Sequence, residues 1–254
     1  MGGERTESRD ALGYRAKLGV IVPSTNTIVE PDYNLMAPPG VTIVADRMEL
    51  FDGDIRDGAK MDAALEKMRG TMEHAARCLA TAEIDFVILG MSAESFWWGR
   101  AGNEEITARL RAWTGVDAVT GSTGMLEGLR AIGADRVSLL TPYNELGDQK
   151  VVAFLEEAGV RVLGLHSFRC PTAVSIAHVT EAQVREGLRR CHRSEAQAIL
   201  QVGTNLSAVK LAAAAERELG KPVLAINAAV LWAALRRLGI PDRRGDLGIL
   251  FREH

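Results

Sequence analysis

The chain has 254 residues, 47% hydrophobic and 25% charged, enough for a normal core in one large domain or two small ones. Its net charge of −3 and scattered basic residues argue against a general binder of nucleic acid or anionic membrane, and no apolar run is long enough to span a bilayer. Three cysteines, Cys78, Cys170 and Cys191, lack CxxC spacing and point to a reducing, cytoplasmic setting with neither a disulfide framework nor a zinc site.

Residues 1–16 are polar and unpatterned and read as a mobile arm. Lys17 to Val22 predicts a first strand, ending in the strand-to-helix turn Pro23-Ser24-Thr25-Asn26-Thr27. Pro38-Pro39-Gly40 stops the helix that follows, Val41 to Ala45 predicts a second strand, and 46–58 reads as a charged loop. Leu65, Met68, Met72, Ala75, Ala76 and Leu79 share one face of a helix over 61–81. Phe86-Val87-Ile88-Leu89 is a continuous apolar run, the mark of a strand buried on both faces in a parallel sheet. It runs into Gly90-Met91-Ser92-Ala93-Glu94-Ser95, read as a loop, and then Trp97 and Trp98. A helix over 104–113, a strand over 116–120, a tight turn at Gly121-Ser122-Thr123-Gly124 and a helix over 125–132 follow.

The pattern then starts again. A strand over 136–141 enters Thr141-Pro142-Tyr143-Asn144, and 149–158 is helical. After it come a strand over 160–165, a loop over 166–179 and a helix over 181–193. A strand over 198–202 enters Gly203-Thr204-Asn205-Leu206, followed by a helix over 208–219, a strand over 222–227, a helix over 228–238 and a charged tail. Strand and helix alternate throughout, so the class is α/β with parallel sheets. LGVIVPSTN (18–26) matches VSLLTPYN (137–144), and DFVILGMSAES (85–95) matches AILQVGTNLSA (198–208). TGVDAVTGSTGMLEGLRAIG (114–133) likewise matches LGKPVLAINAAVLWAALRRLG (219–239). Any two doubly wound domains share strands and helices, but here the loop chemistry matches too, which favours a duplication. The halves fall at 17–120, with 221–240 crossing back, and at 121–220. Ligands of such sheets bind at the carboxyl ends of the strands, so the polar loops of both halves should face one cleft.

Three loops in this order resemble the aspartate/glutamate racemase superfamily, nearest its maleate cis-trans isomerase and arylmalonate decarboxylase branch. They are Val22-Pro23-Ser24-Thr25-Asn26-Thr27 with Glu30, then Leu140-Thr141-Pro142-Tyr143, then Gly203-Thr204-Asn205-Leu206 with Glu216, Leu219-Gly220-Lys221-Pro222-Val223 and Asn227-Ala228-Ala229. The resemblance runs from about Lys17 to Leu238. It implies two Rossmann-like halves related by a pseudo-twofold, an active site between them, and neither metal nor organic cofactor. It places Asn26, Ser92, Tyr143 and Thr204 where relatives bind a substrate carboxylate or the enolate formed from it. Oriented N–H and O–H donors suit such an anion. It also implies a cysteine in each of these loops for the racemases and the isomerase, and one for the decarboxylase; loop matching puts Met91 and Gly203 at those positions instead. Thiol-based racemisation, or addition of a thiolate to an alkene, is therefore not expected.

Glu94 becomes the first candidate for a base, since a carboxylate beside Trp97 and Trp98 would have its pKa raised by desolvation. The alternatives are a helix cap or a pair with Arg100. Tyr143 can donate a hydrogen bond or a proton, and Ser92 can bind carboxylate. Ser24, Thr141, Asn205, Met91 and Gly203 complete the expected lining, with Gly203 leaving room for water or a substrate group. Trp97 or Trp98 would wall the pocket or make a subunit contact, and the chain is expected to be a homo-oligomer. Three activities stay open. One is an isomerase or decarboxylase acting on a small carboxylate through an enolate-like intermediate. Another is a hydrolase or lyase using water activated by Glu94. The third is a non-catalytic carboxylate-binding protein.

Overall fold

The computed structural model describes residues 10–50 and 58–254. β1 (Ala16–Pro23) is buried along nearly its whole length and pairs in parallel with β2 (Val41–Met48) on one side and β3 (Phe86–Leu89) on the other. β4 (Asp117–Val119) extends the sheet from β3, giving the order β2-β1-β3-β4. The second sheet repeats this with β5 (Arg136–Thr141), β6 (Arg161–Ser167), β7 (Ala198–Gln201) and β8 (Val223–Ala225), in the order β6-β5-β7-β8, all parallel. The duplicated Rossmann-like architecture is as the sequence predicts. β3 lies on the opposite side of β1 from β2, and β7 lies likewise to β5. The chain reverses its winding there, and crevices open at the carboxyl ends of these strands.

The helices are α1 (Val29–Met36), α2 (Gly58–Thr81), α3 (Ser92–Trp97), α4 (Gly99–Thr114) and α5 (Gly121–Ala131). After them come α6 (Glu145–Glu157), α7 (Ala173–Ile176), α8 (Glu181–Cys191), α9 (Val209–Leu219), α10 (Ile226–Arg237) and α11 (Ile249–Glu253). α5 and α10 hold equivalent places in the two halves and pack on each other. Gly124 permits this, because a Cβ there would lie 2.7 Å from the Val230 Cα. β8 stays with the second sheet, while the helix after it packs on α1 and α5.

Four stretches differ from the sequence reading. Residues 92–97 form a helix where a loop was expected; Trp98 separates it from α4, whose first residue, Gly99, takes φ +67°. Gly121-Ser122-Thr123-Gly124 is the first turn of α5, with the Thr120 hydroxyl accepting from the Thr123 N–H at 3.3 Å. Residues 173–176 are helical within the expected loop, started by a Thr172–Ser175 capping box. The tail carries α11, whose Ile249 N–H donates to buried Glu216 at 3.0 Å. Most of the expected arm, residues 1–9, and of the charged loop, residues 51–57, lies outside the described residues. From Asp10 onward the chain is tied down. The Asp10 carboxylate accepts from the Leu12 and Gly13 N–H groups, and Arg15 pairs with Asp242. Among the described residues no helix is long and apolar enough to cross a membrane.

Candidate active site

The carboxyl ends of β1, β3, β5 and β7 converge on a cavity of about 130 Å³. Its polar floor is Asn26, Ser92, Tyr143, Thr204 and Asn205, and its wall includes Leu50, Met61, Ala64, Met91, Ala173 and Ile176. Asn26 leaves β1 and starts α1, its Oδ1 accepting from the Ile28 and Val29 N–H groups at 3.0 Å each. Its Nδ2 reaches across to the Thr204 hydroxyl at 3.3 Å, which in turn donates to the Gly90 carbonyl at 3.1 Å. Asn205 makes a second bridge, accepting from the Thr27 N–H at 3.0 Å and donating to the Ala173 carbonyl at 3.0 Å. Loops from opposite halves are thus bonded into one rim.

At the centre of the floor the Ser92 and Tyr143 hydroxyls lie 2.7 Å apart, and the Thr204 N–H donates to Ser92 Oγ at 3.2 Å. Two hydroxyls that share one hydrogen bond spend one proton on each other and keep the second for another acceptor. Burial raises Tyr143 above the ordinary phenol range, so it stays neutral at physiological pH. The floor therefore offers donors and an acid. Among the described lining residues the one charged side chain is Lys60, exposed at the rim.

Seven of the expected residues line this cavity: Asn26, Met91, Ser92, Tyr143, Gly203, Thr204 and Asn205. Glu94, Trp97, Thr141 and Ser24 do not. Residues two apart on a helix project about 200° from each other, so with Ser92 facing the cavity, Glu94 faces α2. There it is fully buried and its Oε1 meets the Arg69 guanidinium at 2.6 Å. Burial raises the Glu94 carboxyl and Arg69 pulls it back. The Trp97 indole N–H donates to Asp62 at 2.6 Å, and its ring lines a separate small hollow with Phe96 and Lys150. Arg69 also lies 5.2 Å from the centre of the Trp98 ring. The Thr141 hydroxyl is turned inward to Asp148, whose carboxyl burial raises to about 6, and the Ser24 hydroxyl pairs with the backbone of Leu50.

Gly203 also departs from expectation. The space over it is filled, since a Cβ would lie 2.5 Å from Pro142 Cγ, and its φ is +100°. Gly203→Ala, or a cysteine at this place, is expected to destabilise the fold by about 2–4 kcal/mol, read as a lower urea midpoint at unchanged slope. Sequence reasoning missed the apolar wall from α2 and α7. The Pro171-Thr172 start signal for α7 is legible, but nothing local tells which cavity that turn will cover.

The family model for arylmalonate decarboxylase matches residues 18–251. The chain belongs to the arylmalonate decarboxylase family. The arylmalonate decarboxylase of Bordetella bronchiseptica is 29% identical over 239 residues, 93% of this chain and 96% of the relative. The maleate isomerase of Nocardia farcinica is 29% identical over 250 residues, 95% of this chain and 97% of the relative. A liganded double mutant of arylmalonate decarboxylase aligns with TM-score 0.82 at 28% identity, covering 94% of this chain and all of that one. Nocardia farcinica maleate cis-trans isomerase, solved with a covalently bound succinylcysteine intermediate, shares the fold with TM-score 0.85 at 24% identity, covering 94% of this chain and 99% of that one. The branch resembled by the three loops is therefore the right one.

In this member of the arylmalonate decarboxylase family, no cysteine is among the described residues lining the cavity. Cys78 lies on α2 with its sulfur 3.5 Å from His74 Nε2, and Cys170 and Cys191 are buried. Burial raises both buried thiols, Cys191 to about 12, so neither is poised as a thiolate.

Proposed function

We propose that the chain is a decarboxylase-type enzyme for a small malonate bearing an apolar or aryl group, acting through an enolate-like intermediate and without a cavity thiol. The Ser92–Tyr143–Thr204 cluster, built from both halves on the cavity floor, carries this reading. An apolar cavity of about 150 Å³ admits benzene, so the apolar wall suits one ring.

The choice among carbon-acid reactions follows from what the floor contains. Racemisation needs a base on one face and an acid on the other. Isomerisation by addition to an alkene needs a nucleophile. Decarboxylation needs no base and no nucleophile, only an acid for the carbon left behind. The bond between the α-carbon and one carboxylate breaks, carbon dioxide leaves, and the electron pair stays on the α-carbon, delocalised into the remaining carboxylate. The second N–H of Asn26 Nδ2 and the one O–H that the Ser92–Tyr143 pair does not spend internally are donors that stabilise that charge. The apolar wall desolvates the departing carboxylate, which favours its conversion to neutral carbon dioxide. The Tyr143 O–H then gives its proton to the carbon and is restored from solvent. A phenol is a far stronger acid than the product's C–H, so the transfer runs downhill even from a raised Tyr143.

The hydrolase reading loses its base, because Glu94 is bonded to Arg69 behind the cavity. The test is incubation with methyl(phenyl)malonate, which has no exchangeable α-hydrogen. Release of carbon dioxide and formation of 2-phenylpropionate are expected. Thermal stabilisation by the malonate with no product would instead make the chain a binding protein.

A further inference from the structure

Asp32 on α1 is only 7% exposed, and among the described residues it makes no ion pair. Its Oδ2 accepts from Asn227 Nδ2 at 2.8 Å, and the same amide nitrogen donates to the Thr204 carbonyl at 3.0 Å. The other Asn227 atom, Oδ1, is buried with no partner. Both N–H protons of Asn227 are thus used, one on the carboxylate and one on the loop that carries the floor. We propose that Asp32 and Asn227 are positioning residues for the cavity. The buried carboxylate orients the α10 amide, and that amide clamps residue 204 by its carbonyl while its N–H meets Ser92.

The orientation of Asn227 follows from charge. Turned over, the amide would set Oδ1 against an ionised carboxylate and a carbonyl, with no hydrogen between any of them. An ionised Asp32 therefore permits one orientation only. A protonated Asp32 offers an O–H that the turned-over Oδ1 can accept, and Thr204 then loses its donor. Burial raises the Asp32 carboxyl to about 6, with Asn227 and Lys210 on α9 opposing. Tyr33, next to it on α1, is buried and neutral, and Arg47 on β2 is engaged with Glu30. A carboxyl raised in this way favours the fold below its ordinary range, and that contribution is lost as pH rises through about 6. At neutral pH the fold thus carries an ionised group that stability alone would not retain. Holding Thr204 in place accounts for keeping it. This role deepens the proposed function and rests on it only for its kinetic consequence.

The test is a pH titration of the uniformly ¹⁵N-labelled full chain by NMR, in the wild type and in Asp32→Asn, which keeps an acceptor oxygen and the side-chain volume. The Thr204 backbone amide and the Asn227 side-chain amide are expected to shift together with a midpoint near 6 in the wild type, and to stay flat in the variant. A flat wild type, or the same midpoint in Asp32→Asn, overturns the proposal. The variant should also unfold at a higher temperature than the wild type at pH 7.5, with the gap closing by pH 4.5; a gap that does not depend on pH contradicts it. With methyl(phenyl)malonate, kcat should fall on the order of tenfold in the variant at pH 7.5 and lose its limb near pH 6. An unchanged kcat profile overturns the positioning role. A wild type with no turnover at all refutes the proposed function instead, while the amide titration still decides the clamp.

Discussion

Tyr143→Phe is expected to lower kcat for methyl(phenyl)malonate by roughly 10²–10⁴-fold, the span typical of a lost general acid. The substitution keeps the ring, which is buried at the cavity floor, and removes the one hydroxyl proposed to deliver a proton. Ser92 retains the Thr204 N–H as a donor, so the fold should change by no more than about 1 kcal/mol, the worth of one ordinary hydrogen bond. Binding of the malonate should weaken far less than kcat, since the Asn26 and Ser92 donors remain. Steady-state kinetics with a urea titration as the control separates these quantities. An equal fall in kcat and in folded fraction would mean that Tyr143 only holds the rim together.

The second large effect is on stability. Glu94→Gln should cost about 2–4 kcal/mol, toward the low side of breaking a buried ion pair, because the Arg69 side chain left behind is 22% exposed and can be partly hydrated. The pair joins α3, which carries Ser92, to α2, which carries Met61 and Ala64 on the opposite wall. Some loosening of substrate binding is therefore expected, seen as a rise in KM. At a temperature where the variant is fully folded, kcat should stay within about threefold of the wild type, since neither Glu94 nor its partner Arg69 lines the cavity. Turnover abolished in a folded variant would return Glu94 to the mechanism as a base.

The contrast between these residues shows what the sequence can carry. The short, mostly apolar runs at Phe86–Leu89 and Ala198–Gln201, each ending near a glycine, fit strands covered on both faces, and the small polar residues two or three positions on then lie at the strand ends. The rule of parallel sheets puts the loops carrying Ser92 and Thr204 at one cleft, and the family resemblance singles out Asn26, Ser92, Tyr143 and Thr204 within the loops. Glu94 was misplaced because its direction depends on the phase of α3. Six residues with two serines and two aromatics give a weak helical signal, and a loop has no phase to read. Gly203 misled differently. A glycine in sequence is equally consistent with open space and with a neighbour already in that space, and only the fold brings Pro142 over it. The apolar wall is the least legible part. Met61 opens a stretch with the ordinary helical pattern of core residues and Ile176 lies in what reads as a loop; the place of both on the cavity comes from packing across the two halves. Asp32 is legible as an acid in the first turn of a helix, but not as a buried one bonded to residue 227.

The most direct measurement of the central claim is to turn over methyl(phenyl)malonate in D₂O, with half-buried Cys78 alkylated beforehand, and to follow the α-carbon by NMR and chiral chromatography. The two-half floor of donors, with Tyr143 as its acid, predicts 2-phenylpropionate with a single deuterium at the α-carbon and one enantiomer in excess, at a rate the alkylation leaves unchanged. Unreacted malonate, a racemic product, or activity abolished by alkylation would contradict it.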